Sequence, residues 1–231
     1  MKRFYKHAAA EPCDAGWRVT LDGRAVKTQG QRALILPNAA LAHALAEEWQ
    51  GQGEEIDPTL FVLRDLADYA IDAIAPDVAS AINTLLPYAE TDTLCYRADP
   101  DDPLHLRQLG LWEPLLQAAE RRLDLHFVRA NSILHQPQPP QTLERIRAVL
   151  AEQDAFTLAA TKTLASLAAS MVIALAALDP GADIKTLWDA ANLEEDWQAE
   201  LWGKDAEAEF RRERRRGAFI AAARFAALVR G

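Results

Sequence analysis

Three side chains within fourteen residues could share a reaction: Asp92, Cys95 and His105. A cysteine nucleophile needs a depressed pKa and a base within hydrogen-bond reach, and the carboxylate or the imidazole could serve as that base. Cys95, however, stands between Leu94 and Tyr96, and unpaired cysteine is among the most buried residue types. A packed thiol is the simpler reading; a small-molecule enzyme using Cys95, Asp92 and His105 is the alternative. The five histidines (His7, His43, His105, His126, His135) form neither a His-x-x-x-His nor a His-Glu pair of metalloprotease type, so no metal site is expected. Gly51-Gln-Gly53 lacks the third glycine of a dinucleotide fingerprint and follows a helical pattern rather than a strand. No phosphate-loop lysine is present either, so no cofactor is expected. Glu47-Glu48, Glu54-Glu55 and Glu194-Glu195-Asp196 fall at helix starts or ends, where acids serve as solvated or dipole-facing groups.

The C-terminal third carries two further clusters. Arg211 to Arg216 contains five arginines, but Glu207 precedes Arg211 by four and Glu209 precedes Arg212 by three, the spacing for helical pairing. From Lys204 to Arg216 there are six basic and four acidic residues, too weak a surplus to track phosphates. Just before this run, Trp202-Gly203 is followed by Asp205 and Glu207. An aromatic anchor beside charge suits a protein interface, although a core tryptophan with solvated acids fits the bare sequence as well.

These groups must be positioned by recognisable elements. Arg18–Leu21 and Ala25–Thr28 flank Asp22-Gly23, a β-hairpin signal because both turn positions tolerate positive φ. Ala33–Leu36 reads as another strand, ended by Pro37. Asn38 suits an N-cap for a helix with Leu41, Leu45 and Trp49 on one face, stopped by Gly51 and Gly53. Pro58 is placed in the first turn of a helix carrying Leu63, Leu66, Ala67, Ala70, Ile71 and Ile74. Pro76 begins a helix running through Tyr88 to Tyr96, bent or broken near Pro87. Leu109, Trp112, Leu116, Ala119 and Leu123 alternate spacings of three and four, an amphipathic helix. Leu125–Leu134 reads as a returning strand, followed by a stiff Pro137-Gln138-Pro139-Pro140 linker. Leu164–Leu178 is apolar on all sides; as a helix it would rise about 22 Å, short of the roughly 30 Å of a bilayer core, so a buried central helix is expected. Asn192 with Glu195 forms a capping arrangement for a helix holding Trp197 and Leu201.

The expected fold class is α+β, predominantly α. Residues 1–57, with the returning strand 125–134, form a small α+β portion with a β-hairpin; residues 58–231 form a larger multi-helical portion. A net charge of −9, from 25 basic and 34 acidic residues, argues against nucleic-acid binding. Cys13 and Cys95, without a C-x-x-C, fit reduced thiols. With no signal or transit pattern, a bacterial cytoplasmic protein that does not insert into a membrane is expected. No heptad seam is long enough for a coiled coil, so a monomer is expected.

Four segments, in this order, resemble the ATP12 family of chaperones: RFYK at Arg3 to Lys6, LDGRAVKT at Leu21 to Thr28, TDTLCYRA at Thr91 to Ala98, and LWGKDAEAEFRR at Leu201 to Arg212. The resemblance runs from Arg3 to about Val229. It departs at Ala25 and Gln29, where the family pattern usually has proline. The resemblance implies a non-enzymatic assembly chaperone for the F1 sector of ATP synthase, binding the unassembled F1 α subunit until it pairs with β. It also implies that the WG-acidic motif, at Trp202, Gly203, Asp205 and Glu207, belongs to the partner-binding surface. A helical adaptor for some other protein is the remaining alternative.

Overall fold

Asp22 and Gly23 both hold positive φ, 47° and 79°, and between them the chain reverses from β2 (Gly16–Leu21) to β3 (Arg24–Ala25) with Leu21 paired to Arg24. This is the turn geometry an Asp-Gly pair favours. β1 (Ala8–Cys13) pairs antiparallel along β2 from Ala8↔Leu21 to Cys13↔Gly16, giving a three-stranded sheet in the order β1-β2-β3. Ala33–Leu36, expected as a strand, makes only isolated bridges, Lys27↔Ala33 and Trp17↔Leu36. The Ile35 N–H turns back to the Ala33 carbonyl at 3.1 Å, and that tight turn breaks the ladder between the two bridges.

The computed structural model describes residues 1–131 and 134–231 and resolves into two compact units. The first comprises Met1–Val78, Asp154–Ala160 and Ala221–Gly231; the second comprises Ala79–Gln153 and Thr161–Ile220. This division differs from a boundary after residue 57 and from the assignment of residues 125–134 to the first portion.

In the first unit, α1 (Ala39–Gln50) lies against β1 and β2 with Leu41, Leu45 and Trp49 buried. Asn38 caps it, its side-chain oxygen accepting the Leu41 N–H at 2.9 Å. The amide nitrogen of Asn38 donates to the Leu228 and Val229 carbonyls, satisfying the last turn of α11 (Ala206–Arg230). Pro58 was expected inside a helix; it opens instead a short 3₁₀ turn, Pro58–Leu60. The helix α2 (Val62–Tyr69) starts later because Glu48, from α1, accepts the N–H groups of Leu63 and Arg64 at 2.7 and 2.9 Å. α2 continues into a π turn, Ala70–Ile74.

Asp65, Asp68 and Asp72, on this continuous α-to-π segment, grip the loop at residues 28–32. Asp68 accepts the Gln29 N–H at 3.1 Å, and Asp72 accepts the Gly30 N–H and the Thr28 hydroxyl at 2.8 Å each. The Gln29 side chain reaches Asp65. A Cβ at residue 30 would lie 2.8 Å from the Asp72 carboxylate, so a side chain there would push Asp72 off its bonds to Gly30 and Thr28. A proline at position 29 could not donate to Asp68; the departure at Gln29 therefore adds a hydrogen bond.

The second unit contains most of α3 (Val78–Leu85), then α4 (Pro87–Glu90), α5 (Pro103–Leu123), α6 (Pro140–Ala151), the end of α7 (Ala155–Ala168), α8 (Met171–Ala177), α9 (Ile184–Ala191), α10 (Leu193–Trp202) and the start of α11. Trp112, Leu116, Phe127, Trp188 and Phe219 are fully or almost fully buried within it. Leu164–Leu178 is largely buried, as its composition demanded, but is two helices rather than one. Ala169 adopts φ 47° and Ser170 caps α8 by accepting the Ile173 N–H at 3.1 Å. The helix expected through Tyr96 stops at Glu90, and Thr93–Cys95 is a 3₁₀ turn capped by Asp92.

Residues 125–131 are not a strand of the sheet. Among the described residues Ala130 makes one isolated parallel bridge, to Tyr96. Ser132 and Ile133, in the same expected strand, lie outside the described residues. Side chains take the place of a neighbouring strand. Glu120 accepts the Phe127 N–H at 2.8 Å, and Gln138 both accepts from and donates to Val128, at 2.8 and 3.0 Å. The proline-rich stretch is thus more than a linker, because it carries this clamp. Asn192 also departs from expectation: its amide donates back to the Trp188 carbonyl at 2.8 Å, and no side-chain cap forms at α10.

Asp68 supplies a pH test. Burial pushes its carboxyl up to about 6, with the Arg64 guanidinium opposing. A folded-state pKa above the unfolded one means stability that is full below about pH 4 and lost as pH rises through 6. Asp68→Asn cannot ionise. Its stability relative to the parent chain is therefore expected to rise by about 1–3 kcal/mol between pH 4 and 7 in urea titrations; an unchanged difference would refute the assignment.

Candidate functional site

The chemistry-bearing triplet of the sequence does not assemble as a reactive group. Asp92 is wholly buried, with one oxygen accepting the Leu94 N–H at 3.0 Å and the other the Val172 N–H at 2.9 Å. Burial pushes its carboxyl up to about 6, against these donors and the Ser170 hydroxyl. Beside it, the N–H and hydroxyl of Thr93 both donate to the Ala169 carbonyl, at 3.1 and 2.9 Å. The segment therefore latches onto the break between α7 and α8. Cys95 is 1% exposed, and burial, reinforced by the Asp92 charge, pushes its thiol far above the ordinary range, the reverse of nucleophile activation. His105 turns its Nδ1 to the Ala98 carbonyl at 3.0 Å.

Arg97, at the end of this segment, is buried and pairs with Glu113 at 3.0 Å while lying over the Trp112 ring. Arg129 pairs with Glu113 at 2.9 Å and with Glu120. Burial alone would raise both glutamates, but the Arg129 guanidinium outweighs it and holds them below the usual carboxylate range. Sequence reasoning missed this network because its members come from separated segments with no common spacing. Among the described residues, no group of three or more His, Cys, Asp or Glu converges as a metal site, and no helix is long and apolar enough to cross a membrane.

The second candidate lies where α10 meets the start of α11. α10 is seated on α5 by polar contacts: Gln108, fully buried, donates to Glu194 at 2.9 Å, and Arg107 pairs with Glu200 at 2.8 Å while stacking over Trp197 at 4.4 Å. The first half of α11 is tied back by Arg212 to Asp196, Arg215 to Glu195 at 3.0 Å, and Phe219 against Trp188. Within the arginine run, Arg212 and Arg215 thus hold helices together, while Arg211 and Arg216 pair with Glu207 and Glu213 on α11 itself.

Between the helices Gly203 adopts φ 89°, ψ 172°, a conformation open essentially to glycine alone, and its N–H closes α10 on the Ala199 carbonyl at 2.9 Å. Asp205 caps α11, accepting the Ala208 N–H at 2.8 Å. Glu207 pairs with Arg211, both well exposed. Trp202 is 78% exposed at the edge of a groove of about 430 Å³, whose lining also includes Gly203, Lys204, Asp205 and Arg211. Trp202, Gly203 and Asp205 thus share one groove, while Glu207 stands beside it through Arg211. Leu201 and Phe210, 56% and 65% exposed, add apolar surface on the same helix ends. Phe210 was overlooked in the sequence; its place among charged residues on both sides was the available signal.

Residues 2–120 match the ATP12 chaperone protein family. The structure of Atp12 from Paracoccus denitrificans is 36% identical, with 99% of this chain and 98% of that one covered, at a TM-score of 0.93. A mutant of the same P. denitrificans Atp12p gives the same identity and TM-score, with 99% and 97% covered. Protein atp12, mitochondrial, of Schizosaccharomyces pombe is 25% identical over 214 residues, 87% of this chain and 74% of that protein.

The latch at Asp92 has a measurable consequence. Asp92→Ala strands two buried N–H groups and is expected to lower stability by roughly 2–5 kcal/mol in urea unfolding. Asp92→Asn should recover only part of this, because an amide offers one acceptor oxygen where the site uses two. Full recovery with Asn would show that the second oxygen is not needed.

Proposed function

This chain belongs to the ATP12 chaperone family, and from that we propose that it is a non-enzymatic assembly chaperone for the F1 sector of ATP synthase, holding the unassembled α subunit until β replaces it. In this reading it acts as a monomer in the bacterial cytoplasm, without nucleotide, metal or nucleic acid. The observation that carries the choice of surface is Trp202, a side chain of a type usually buried, standing 78% exposed beside Gly203 and a row of acids.

The physical logic is exchange. An isolated α subunit exposes the apolar area it later shares with β, and such a patch aggregates. Trp202, Leu201 and Phe210 offer apolar contact on helix ends. Asp205 and Glu207 offer charge at the rim, which selects a partner and speeds encounter more than it adds affinity. A cap of this kind yields to β by competition, so no energy-consuming step is needed. Asp205 has a second duty as the cap of α11, so its replacement would perturb the helix as well as the surface. Among the described residues Glu207 makes its exposed pair with Arg211 and no other ion pair, which makes it the cleaner probe.

Glu207→Lys is expected to change stability by no more than about 0.3–0.5 kcal/mol, the usual worth of an exposed helical pair. Trp202→Ala should be similarly silent in unfolding but cost about 2 kcal/mol or more of binding if Trp202 is an anchor. Co-expression with isolated α subunit, scored by soluble α, reads both. Variants that melt normally yet leave α insoluble fit the proposal. Variants that protect α as well as the parent chain would move the surface elsewhere. If the parent chain itself fails to keep α soluble, the reading falls.

A further inference from the structure

The first unit carries an aromatic pocket that the C-terminal groove does not explain. Phe4, Tyr5, Leu21 and Trp49 line a pocket of about 460 Å³ beside the hairpin, together with Arg24 and Lys27. Its floor is rigid: Tyr5 and Trp49 are 5% and 6% exposed, their rings meet edge to face, and the Tyr5 hydroxyl donates to the Trp49 carbonyl at 2.6 Å. Phe4, by contrast, is 65% exposed at the pocket edge.

Charge gives the occupant its sign. Residues 1–32 hold seven Lys or Arg and three Asp or Glu, in a chain whose net charge is −9. Several of these cations are already used: Arg3 donates to the carbonyls of Tyr5, Lys6, Gln50 and Gln52, Arg18 pairs with Glu11, and Arg32 bonds the Ile71 carbonyl near Asp72. Arg24 and Lys27 are exposed and make no ion pair among the described residues. The acid in the lining, Asp22, is occupied, both its oxygens accepting the Lys6 N–H and one also the His7 N–H.

We propose that this pocket docks a short acidic segment of a partner polypeptide, seating one bulky apolar side chain against Phe4, Tyr5 and Trp49 while flanking carboxylates meet Arg24 and Lys27. The cations stand in water at the rim, three positions apart, where they meet charges on either side of an anchor. The guanidinium groups at the aromatic floor are already engaged: Arg3, over the Tyr5 ring at 4.6 Å, is spent on four backbone carbonyls, and Arg64, over the Trp49 ring at 5.2 Å, pairs with Asp68. A carboxylate therefore meets its countercharge at Arg24 and Lys27 rather than on the floor. The proposal concerns residues and a unit distinct from the Trp202 groove, so either can fail without the other.

The test is selection of random twelve-residue peptides displayed on phage against the full chain, followed by fluorescence polarisation of the winning synthetic peptides. The expected consensus is an aromatic or branched apolar residue flanked by Asp or Glu. Affinity should fall at least tenfold for Arg24→Glu/Lys27→Glu and for Phe4→Ser, exposed positions where folding is not at stake, and stay unchanged for Trp202→Ala. Winners without acidic residues, or winners that bind the charge-reversed chain equally, would overturn the proposal. So would a loss of binding with Trp202→Ala alone, or phenylacetate competing as effectively as the peptides, which would make the pocket a small-acid site.

Discussion

Both units are organised by carboxylates that carry backbone N–H groups from another part of the chain. In the second unit Asp92, without solvent contact, receives Leu94 and, eighty residues away, Val172. In the first, Glu48 receives Leu63 and Arg64, Asp68 receives Gln29, and Asp72 receives Gly30. A buried carboxylate is tolerable only with such donors, and a helix start or tight loop is tolerable only with such acceptors. Each cost offsets the other, which fixes where helices begin and how loops lie against them.

This constraint also explains why the reactive reading of Asp92, Cys95 and His105 gives way. A carboxylate spent on backbone donors is a poor general base, and a thiol pushed upward by burial beside it is a poor nucleophile. The same residues that would make an interesting site in isolation are instead the means by which an irregular segment, Thr91–Ala98, is pinned to a helix break. Its likeness in sequence to a family motif is thus a likeness in how a chain is held.

The surface at α10 and α11 follows from a different balance. Arg212 and Arg215 bind the helices to each other, Gly203 supplies a backbone turn closed to other residues, and Asp205 starts the next helix. Beside the exposed Lys204, Glu207 and Arg211, the apolar side chains Leu201, Trp202 and Phe210 also stand open to water or a partner. Rigid placement of exposed apolar groups lowers the ordering cost of any association they make.

Local chemistry was legible in the sequence. Asp22-Gly23 determined the hairpin, Asn38 the start of α1, the spacing of Trp112, Leu116, Ala119 and Leu123 the buried face of α5, and the composition of Leu164–Leu178 its burial. These depend on residues a few positions apart, so one chain suffices to read them. The break at Ala169–Ser170, the coil at residues 125–131, the late start of α2 and the failed cap at Asn192 were decided by partners distant in sequence: Asp92 and Thr93, Glu120 and Gln138, Glu48, and the Trp188 carbonyl for which Asn192 gave up its cap. The exposure of Trp202 belongs to the same class. Whether a tryptophan is buried or exposed depends on what the fold leaves opposite it, and only the packed chain settles that.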